Sequence, residues 1–198
     1  MRRGSAGPPG GVTAAAGLER TLWLVRHAQA ATVSPTGRDA DRPLVAKGHH
    51  QARRLAASLQ AWGARPDRVL SSPWLRAAAT AEGLRGAAPL AFLDALASPG
   101  AAAASAAIVA ALAPDEREAV VVGHEPWVSA LASWWLCGDE LGLRIAFRKA
   151  AVMALVGVPG PGRMALTGFV PMRWLNPPTG CAPAPPGPRR RSRCATPA

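Results

Sequence analysis

Thr21-Leu22-Trp23-Leu24-Val25-Arg26-His27-Ala28 is the stretch on which the fold turns. Its first five residues form a short, nearly continuous apolar run, as in a central strand buried on both faces. A polar Arg-His pair follows directly, at the carboxyl end of that strand, where open α/β sheets place their ligand crevices. Val122-Gly123-His124-Glu125-Pro126 repeats the arrangement: an apolar run, a histidine, then a helical pattern. If the two strands are parallel neighbours, His27 and His124 meet in one cleft. A lone histidine is more often a surface or satisfied core residue than a catalyst, but two at matching strand ends weigh against that explanation.

Working outward, apolar runs alternate with helical patterns over residues 18–176. The alternation predicts one domain, a three-layer α/β/α sandwich with a mainly parallel central sheet. Lys47–Trp62 carries Ala52, Leu55, Ala56, Leu59 and Trp62 along one helical face, and Gly63 ends it. Asp67–Ser71 reads as a second strand, with Ser72 as N-cap and Pro73 as first residue of a second helix. Leu90–Leu93 is a third strand, ahead of the alanine-rich helix Ala101–Leu112. Ala119–Val122 is a fourth, leading into the helix Pro126–Leu136. Ala151–Val158 and Arg163–Val170 flank Pro159-Gly160-Pro161-Gly162 and read as a hairpin or edge pair.

Both ends differ in composition from this body. Residues 1–17, rich in Gly, Pro and Ala, and 177–198, rich in Pro and Arg, read as disordered tails. Six arginines lie in these tails with no acid beside them, so of the formal charge of +11 only +5 belongs to the region between. A moderately basic body suits an anionic substrate. The tail arginines suit nucleic acid or acidic partners in principle, but a solvated end is the simpler account. No segment has the apolar length of a membrane span, and the start lacks the apolar core of an export signal, so a cytoplasmic protein is expected. Cys137 sits in an apolar helical pattern and is expected to be buried; Cys181 and Cys194 show no pairing or metal-binding spacing.

Arg76 follows Ser71-Ser72-Pro73-Trp74-Leu75, close to the start of a helix. A cation is mildly disfavoured at that positive dipole end, by about 0.3–1 kcal/mol at an exposed site. A bound anion turns the penalty into a shared site.

Four motifs occur in order: Leu24-Val25-Arg26-His27-Ala28; Pro43-Leu44 with Gly48 and Gln51-Ala52; Ser71 to Ala77 with Thr80-Ala81-Glu82; and Val122 to Pro126. Together they resemble the histidine phosphatase (phosphoglycerate mutase-like) superfamily over roughly residues 20–170. The short chain, Asp41-Arg42-Pro43-Leu44 and Gly-His-Glu-Pro are most similar to its SixA-type phosphohistidine phosphatases. The resemblance implies that His27 is a transiently phosphorylated nucleophile. It implies that Arg26, Arg76 and His124 hold the phosphoryl oxygens, with Arg42 as an additional arginine. Larger members carry a carboxylate after the third strand as general acid; Asp94 is the candidate here. No cofactor and no metal are implied: adjacent His49 and His50 lack the i, i+4 spacing of a helical metal pair, and flanking arginines repel a cation from His27 and His124.

This cast suits phosphoryl transfer, which needs in-line positioning and charge compensation more than covalent assistance. Neutral imidazole attacks without first losing a proton, and arginine's planar fork matches phosphoryl oxygens. The expected partner is a phosphorylated protein histidine, on a phosphorelay or phosphocarrier domain, or a small phosphorylated metabolite. The alternatives are a broad-specificity small-molecule phosphomonoesterase, a non-catalytic phosphohistidine-binding regulatory module and, least favoured, nucleic-acid binding through the tail.

Overall fold

The computed structural model describes residues 17–97 and 100–175. The two expected tails, Gly17 aside, lie outside the described residues, as do Cys181 and Cys194. In chain order the elements are β1 (Arg20–Arg26), α1 (Ala46–Ala61), β2 (Arg68–Ser71), α2 (Leu75–Leu84) and β3 (Leu90–Phe92). They continue as α3 (Ala101–Ala111), β4 (Glu118–Gly123), α4 (Trp127–Cys137), β5 (Val152–Gly157) and β6 (Met164–Val170). The sheet runs β3-β2-β4-β1-β5-β6. Its first four strands are parallel; β5 pairs antiparallel with β1, and β6 with β5.

Strand side chains point alternately to opposite faces, and the two faces bury different partners. Leu22, Leu24, Leu70 and Val121 pack with Ile108 of α3 and with Trp127, Leu131 and Trp135 of α4. Val25, Val69, Val120 and Val122 pack with Leu55 and Leu59 of α1 and with Ala77, Ala81 and Leu84 of α2. The result is the expected three-layer sandwich. In α3 the buried alanines Ala101 and Ala104 add little apolar area, and the bulk comes from α4. Trp135 is fully buried there, its indole N–H donating to Ser105 Oγ at 2.8 Å. No helix among the described residues is long and apolar enough to cross a membrane.

Two local expectations are corrected. Ser72 does not cap α2: the N-cap residue is Trp74, and no side chain closes that end. Ser72 is instead fully buried under a neighbouring strand end, where its hydroxyl has other partners. Cys137 is exposed rather than buried, because it is the last residue of α4 and falls beyond the apolar face.

Glycines in two of the motifs have steric reasons. A Cβ at Gly123 would overlap the Trp127 indole, and one at Gly48 would overlap the Gln29 carbonyl oxygen. The second contact seats α1 against the loop just past His27, where Val45 N–H also donates to Gln29 O at 3.1 Å. Gly48→Ala is expected to cost about 1–3 kcal/mol of stability through overpacking against backbone. The check is a lowered urea midpoint; an unchanged midpoint would show that α1 can move away freely.

Candidate active site

Sheet order assembles the site. Val25 pairs with Val122 and Arg26 with Gly123 across β1 and β4, and His27 N–H continues the ladder to Gly123 O at 2.9 Å. The rings of His27 and His124 therefore stand beside each other, centroids 5.0 Å apart and both only 5% exposed. On the other flank of β4, Ser72 N–H donates to Val122 O at 3.1 Å, which places Ser72 Oγ 2.8 Å from His124 Nε2. Three neighbouring strands thus deliver Ser72, His124 and His27 in a row. Arg76, second residue of α2, is 3% exposed and sends its Nε–H to His27 Nε2 at 3.3 Å.

The hydrogen bonds assign the His27 tautomer. Nδ1 lies 2.7 Å from the Ala28 carbonyl oxygen, which can only accept, so Nδ1 carries the proton. Nε2 is left with its lone pair toward the arginines, consistent with its accepting from Arg76. Burial, and then the neighbouring cations Arg76, Arg26 and Lys149, push the His27 pKa down to about 4 against the opposing Ala28 hydrogen bond. His124 is held at about 3, by burial first and then by His27 and Arg76. Its Nδ1 is buried without a hydrogen-bond partner among the described residues.

The guanidinium groups are fixed by backbone and by one carboxylate. Arg26 Nη1 donates to Phe147 O at 2.6 Å. Arg76 donates from Nη1 to Asp39 O at 2.7 Å and from Nη2 to Asp39 Oδ2 at 2.8 Å, with the Trp74 ring 4.6 Å from its central carbon. Arg42 Nε lies 2.7 Å from Asp39 Oδ1. A bridge between Ala30 and Leu44 closes the intervening loop and folds Asp39 and Arg42 back over Arg76. Asp39 itself remains 56% exposed; desolvation is the largest single influence on its carboxyl and raises its pKa, but Arg76 and Arg42 together outweigh it and hold the group below the ordinary value. Thr80 Oγ1 accepts from Ala28 N–H at 3.1 Å and donates to Arg76 O at 2.7 Å, tying α2 to the residue after His27.

His27, His124, Arg26, Arg76 and Arg42 thus come together as expected from sequence. Asp94 does not join them: it is exposed in the short turn past β3, and among the described residues its carboxylate makes no hydrogen bond or ion pair with the site. Asp39 and Lys149 escaped the sequence reading. The signal for Asp39 was its position three residues before Arg42. Lys149 carried none, because its place depends on Ala150, a fully buried non-glycine residue at φ +57°. Ala150 N–H is shared between the carbonyls of Arg26 at 3.1 Å and His27 at 3.2 Å. This latch brings Lys149 to the arginines, and burial, then Arg26, Arg42 and Arg76, lower its pKa.

Comparison with known proteins matches residues 22–97 to the histidine phosphatase superfamily (branch 1). An uncharacterised protein of Picosynechococcus sp. is 34% identical over 144 residues, 68% of this chain and 83% of the relative. The chain belongs to the histidine phosphatase superfamily. It is, with that membership, a phosphatase. The structure of protein histidine phosphatase SixA complexed with tungstate shares the fold, with TM-score 0.68 and 24% identity over 79% of this chain and 99% of that one. A protein assigned as phosphohistidine phosphatase SixA from Agrobacterium tumefaciens gives 0.65 and 25% over 77% and 97%. A phosphoserine phosphatase of Entamoeba histolytica in complex with phosphoserine shares the fold at 0.57 and 15% over 78% and 98%.

For this histidine phosphatase the geometry offers an unprotonated imidazole nitrogen facing a cluster of fixed cations, an arrangement able to accept a phosphoryl group. The depressed pKa values also bear on stability. Unfolded imidazole titrates near 6.5, so between that pH and about 4 the unfolded chain binds more protons than the fold. Stability is therefore expected to be full above about pH 6.5 and to fall as pH drops through that window. Urea midpoints on either side of pH 6.5 check this; a midpoint that rises on acidification to pH 5 contradicts it.

Proposed function

We propose that this histidine phosphatase hydrolyses phosphohistidine through a covalent phosphoryl intermediate on His27 Nε2. In the first step the Nε2 lone pair attacks phosphorus in line. The bond from phosphorus to the substrate's imidazole nitrogen breaks, its electron pair leaving with that nitrogen. In the second, water attacks phosphorus, the Nε2–P electron pair returns to His27, and the water proton passes to solvent or phosphate. Arg26 and Arg76 compensate the equatorial oxygens, Arg42 acts through Asp39 at the rim, and His124 offers its unpartnered Nδ1–H while Nε2 accepts from Ser72. Tungstate, the tetrahedral oxyanion bound by the SixA of like fold, is the shape such a pocket takes.

The observation that carries the substrate class is the protonation pattern. Both histidines are held neutral, and Asp39 is held anionic by its arginines. Glu125, raised by burial, is engaged by Ser129 Oγ at 2.8 and 2.9 Å. None of these imidazole or carboxyl groups is poised to protonate a departing alkoxide near neutral pH. A phosphohistidine N–P bond has a labile leaving group and needs less acid assistance than an alkyl ester. Turnover should accordingly rank phosphohistidine protein above aryl phosphate above sugar phosphate. Faster hydrolysis of alkyl phosphates than of phosphohistidine would overturn the assignment. Because the nucleophile must be unprotonated, kcat/KM should hold down to pH 5 and fall only as pH approaches about 4; an acid limb near 6.5 would point to a solvated histidine.

A further inference from the structure

Beside the phosphoryl pocket runs a second cleft, about 580 Å³ in volume, which shares Arg26 with it. One wall is α1, contributing Lys47, Gln51 and Arg54, three residues at helical spacing on one face. The other wall consists of Arg148 and Lys149 from the latched turn and Arg173 from the segment after β6. Six cations thus line one groove, and among the described residues no carboxylate lines it. Among the described residues none of the six forms an ion pair, Glu125 acting on Arg26 only at longer range, although Asp39, Glu82 and Glu116 neutralise arginines elsewhere. Nε of Arg54 and of Arg26 is buried without a hydrogen-bond partner among the described residues. Like charge gathered at this density is costly to the fold on its own; Lys149, whose pKa is lowered by burial first and then by Arg26, Arg42 and Arg76, lies where this groove meets the phosphoryl pocket.

The groove extends well past what one phosphoryl group requires. Lys47 and Arg54 are seven residues apart, about 10 Å along a helix. A second phosphate on a small metabolite would meet only one end of that row, whereas carboxylates spaced along a polypeptide can engage all of it. Single-stranded nucleic acid is held by aromatic stacking as well as charge, and among the described residues no Phe, Tyr or Trp lines this groove, the imidazole of His50 being its one aromatic ring.

We propose that the groove docks an acidic segment of the phosphorylated protein, its carboxylates against Lys47, Arg54, Arg148 and Arg173 while the phosphoryl group enters past Arg26. The choice of partner rests on the phosphohistidine reading above, and the test separates the two. Lys47→Glu with Arg173→Glu reverses charge at two exposed positions outside the phosphoryl pocket; Arg54→Gln is an independent second variant. The full chain is titrated with a fluorescein-labelled oligoglutamate peptide. Binding should weaken at least about tenfold in the double variant and between about 50 and 200 mM salt in the wild type. In parallel, kcat/KM on a phosphohistidine protein with an acidic surface should fall about tenfold, mainly through KM, with p-nitrophenyl phosphate turnover kept within about twofold near physiological salt.

Peptide binding by the wild type that survives both variants overturns the proposal. So do equal losses on the phosphoprotein and the aryl phosphate, and tighter binding of a single-stranded oligonucleotide than of the peptide. If the wild type binds the peptide through these residues yet does not hydrolyse phosphohistidine, the groove stands and the substrate assignment fails.

Discussion

Replacing His27 with alanine is expected to abolish the acid-trappable phosphoenzyme and to lower hydrolysis by about 10⁴-fold or more, the scale on which losing a covalent nucleophile acts. The expectation follows from the hydrogen bonds around one ring. Ala28 O fixes the proton on Nδ1, so a single nitrogen, Nε2, carries the lone pair, and Arg76 Nε–H is directed at it. His124 cannot substitute, since its Nε2 is occupied by Ser72. The fold should persist, because the strand-end contact of residue 27 to Gly123 is made by backbone. The arginines also remain, so affinity for tungstate should stay within about tenfold of wild type while turnover vanishes. Phosphoryl label trapped on the alanine variant would identify another nucleophile and end the proposed mechanism.

Arg76→Ala is expected to lower kcat/KM by about 10²–10³, the range found on removing a preorganised donor that meets charge as it develops. Arg76 is nearly inaccessible to water, where such a donor is least screened, and its fork is already oriented by Asp39. The side chain that keeps it in place is also its competitor. An arriving phosphoryl group must share or displace the half-exposed Asp39 carboxylate. Lysine at position 76 retains charge but not the fork, and should recover only part of the loss. Steady-state kinetics on one activated substrate compare the three forms. An alanine variant within tenfold of wild type would show that Arg26 alone compensates the phosphoryl charge.

Most of the architecture was legible in the sequence. Every predicted strand and helix is present with ends moved by a few residues, because apolar periodicity and turn residues act over short distances along the chain. The exceptions are instructive. Ser72-Pro73 has the form of a helix start, yet its serine is drawn 52 residues away in sequence to His124. The same hydroxyl still accepts Trp74 N–H at 3.3 Å just ahead of the helix, so it satisfies the buried imidazole nitrogen and the entering turn together instead of capping the helix itself. Cys137 was misjudged for a related reason: helical periodicity locates a face but not where the core stops along it.

For the site, sequence by itself picked out the side chains proposed to bind the anion: His27 and His124 at strand ends, Arg26 beside one and Arg76 at a helix start are set by local order. Only the tertiary structure decided their chemical state. The proton on Nδ1 is fixed by the adjacent Ala28 carbonyl, but the depressed histidines, the Asp39 tie and the arrival of Lys149 depend on groups from other segments. Arg76 is 49 residues from His27, and Phe147, which anchors Arg26, is 121 residues from it. Burial and distance between charges shift a pKa, and neither exists until the layers pack. The basic groove has the same origin, for its cations come from four separate segments that become neighbours only when α1, the latch around Ala150 and the segment after β6 close upon the end of β1.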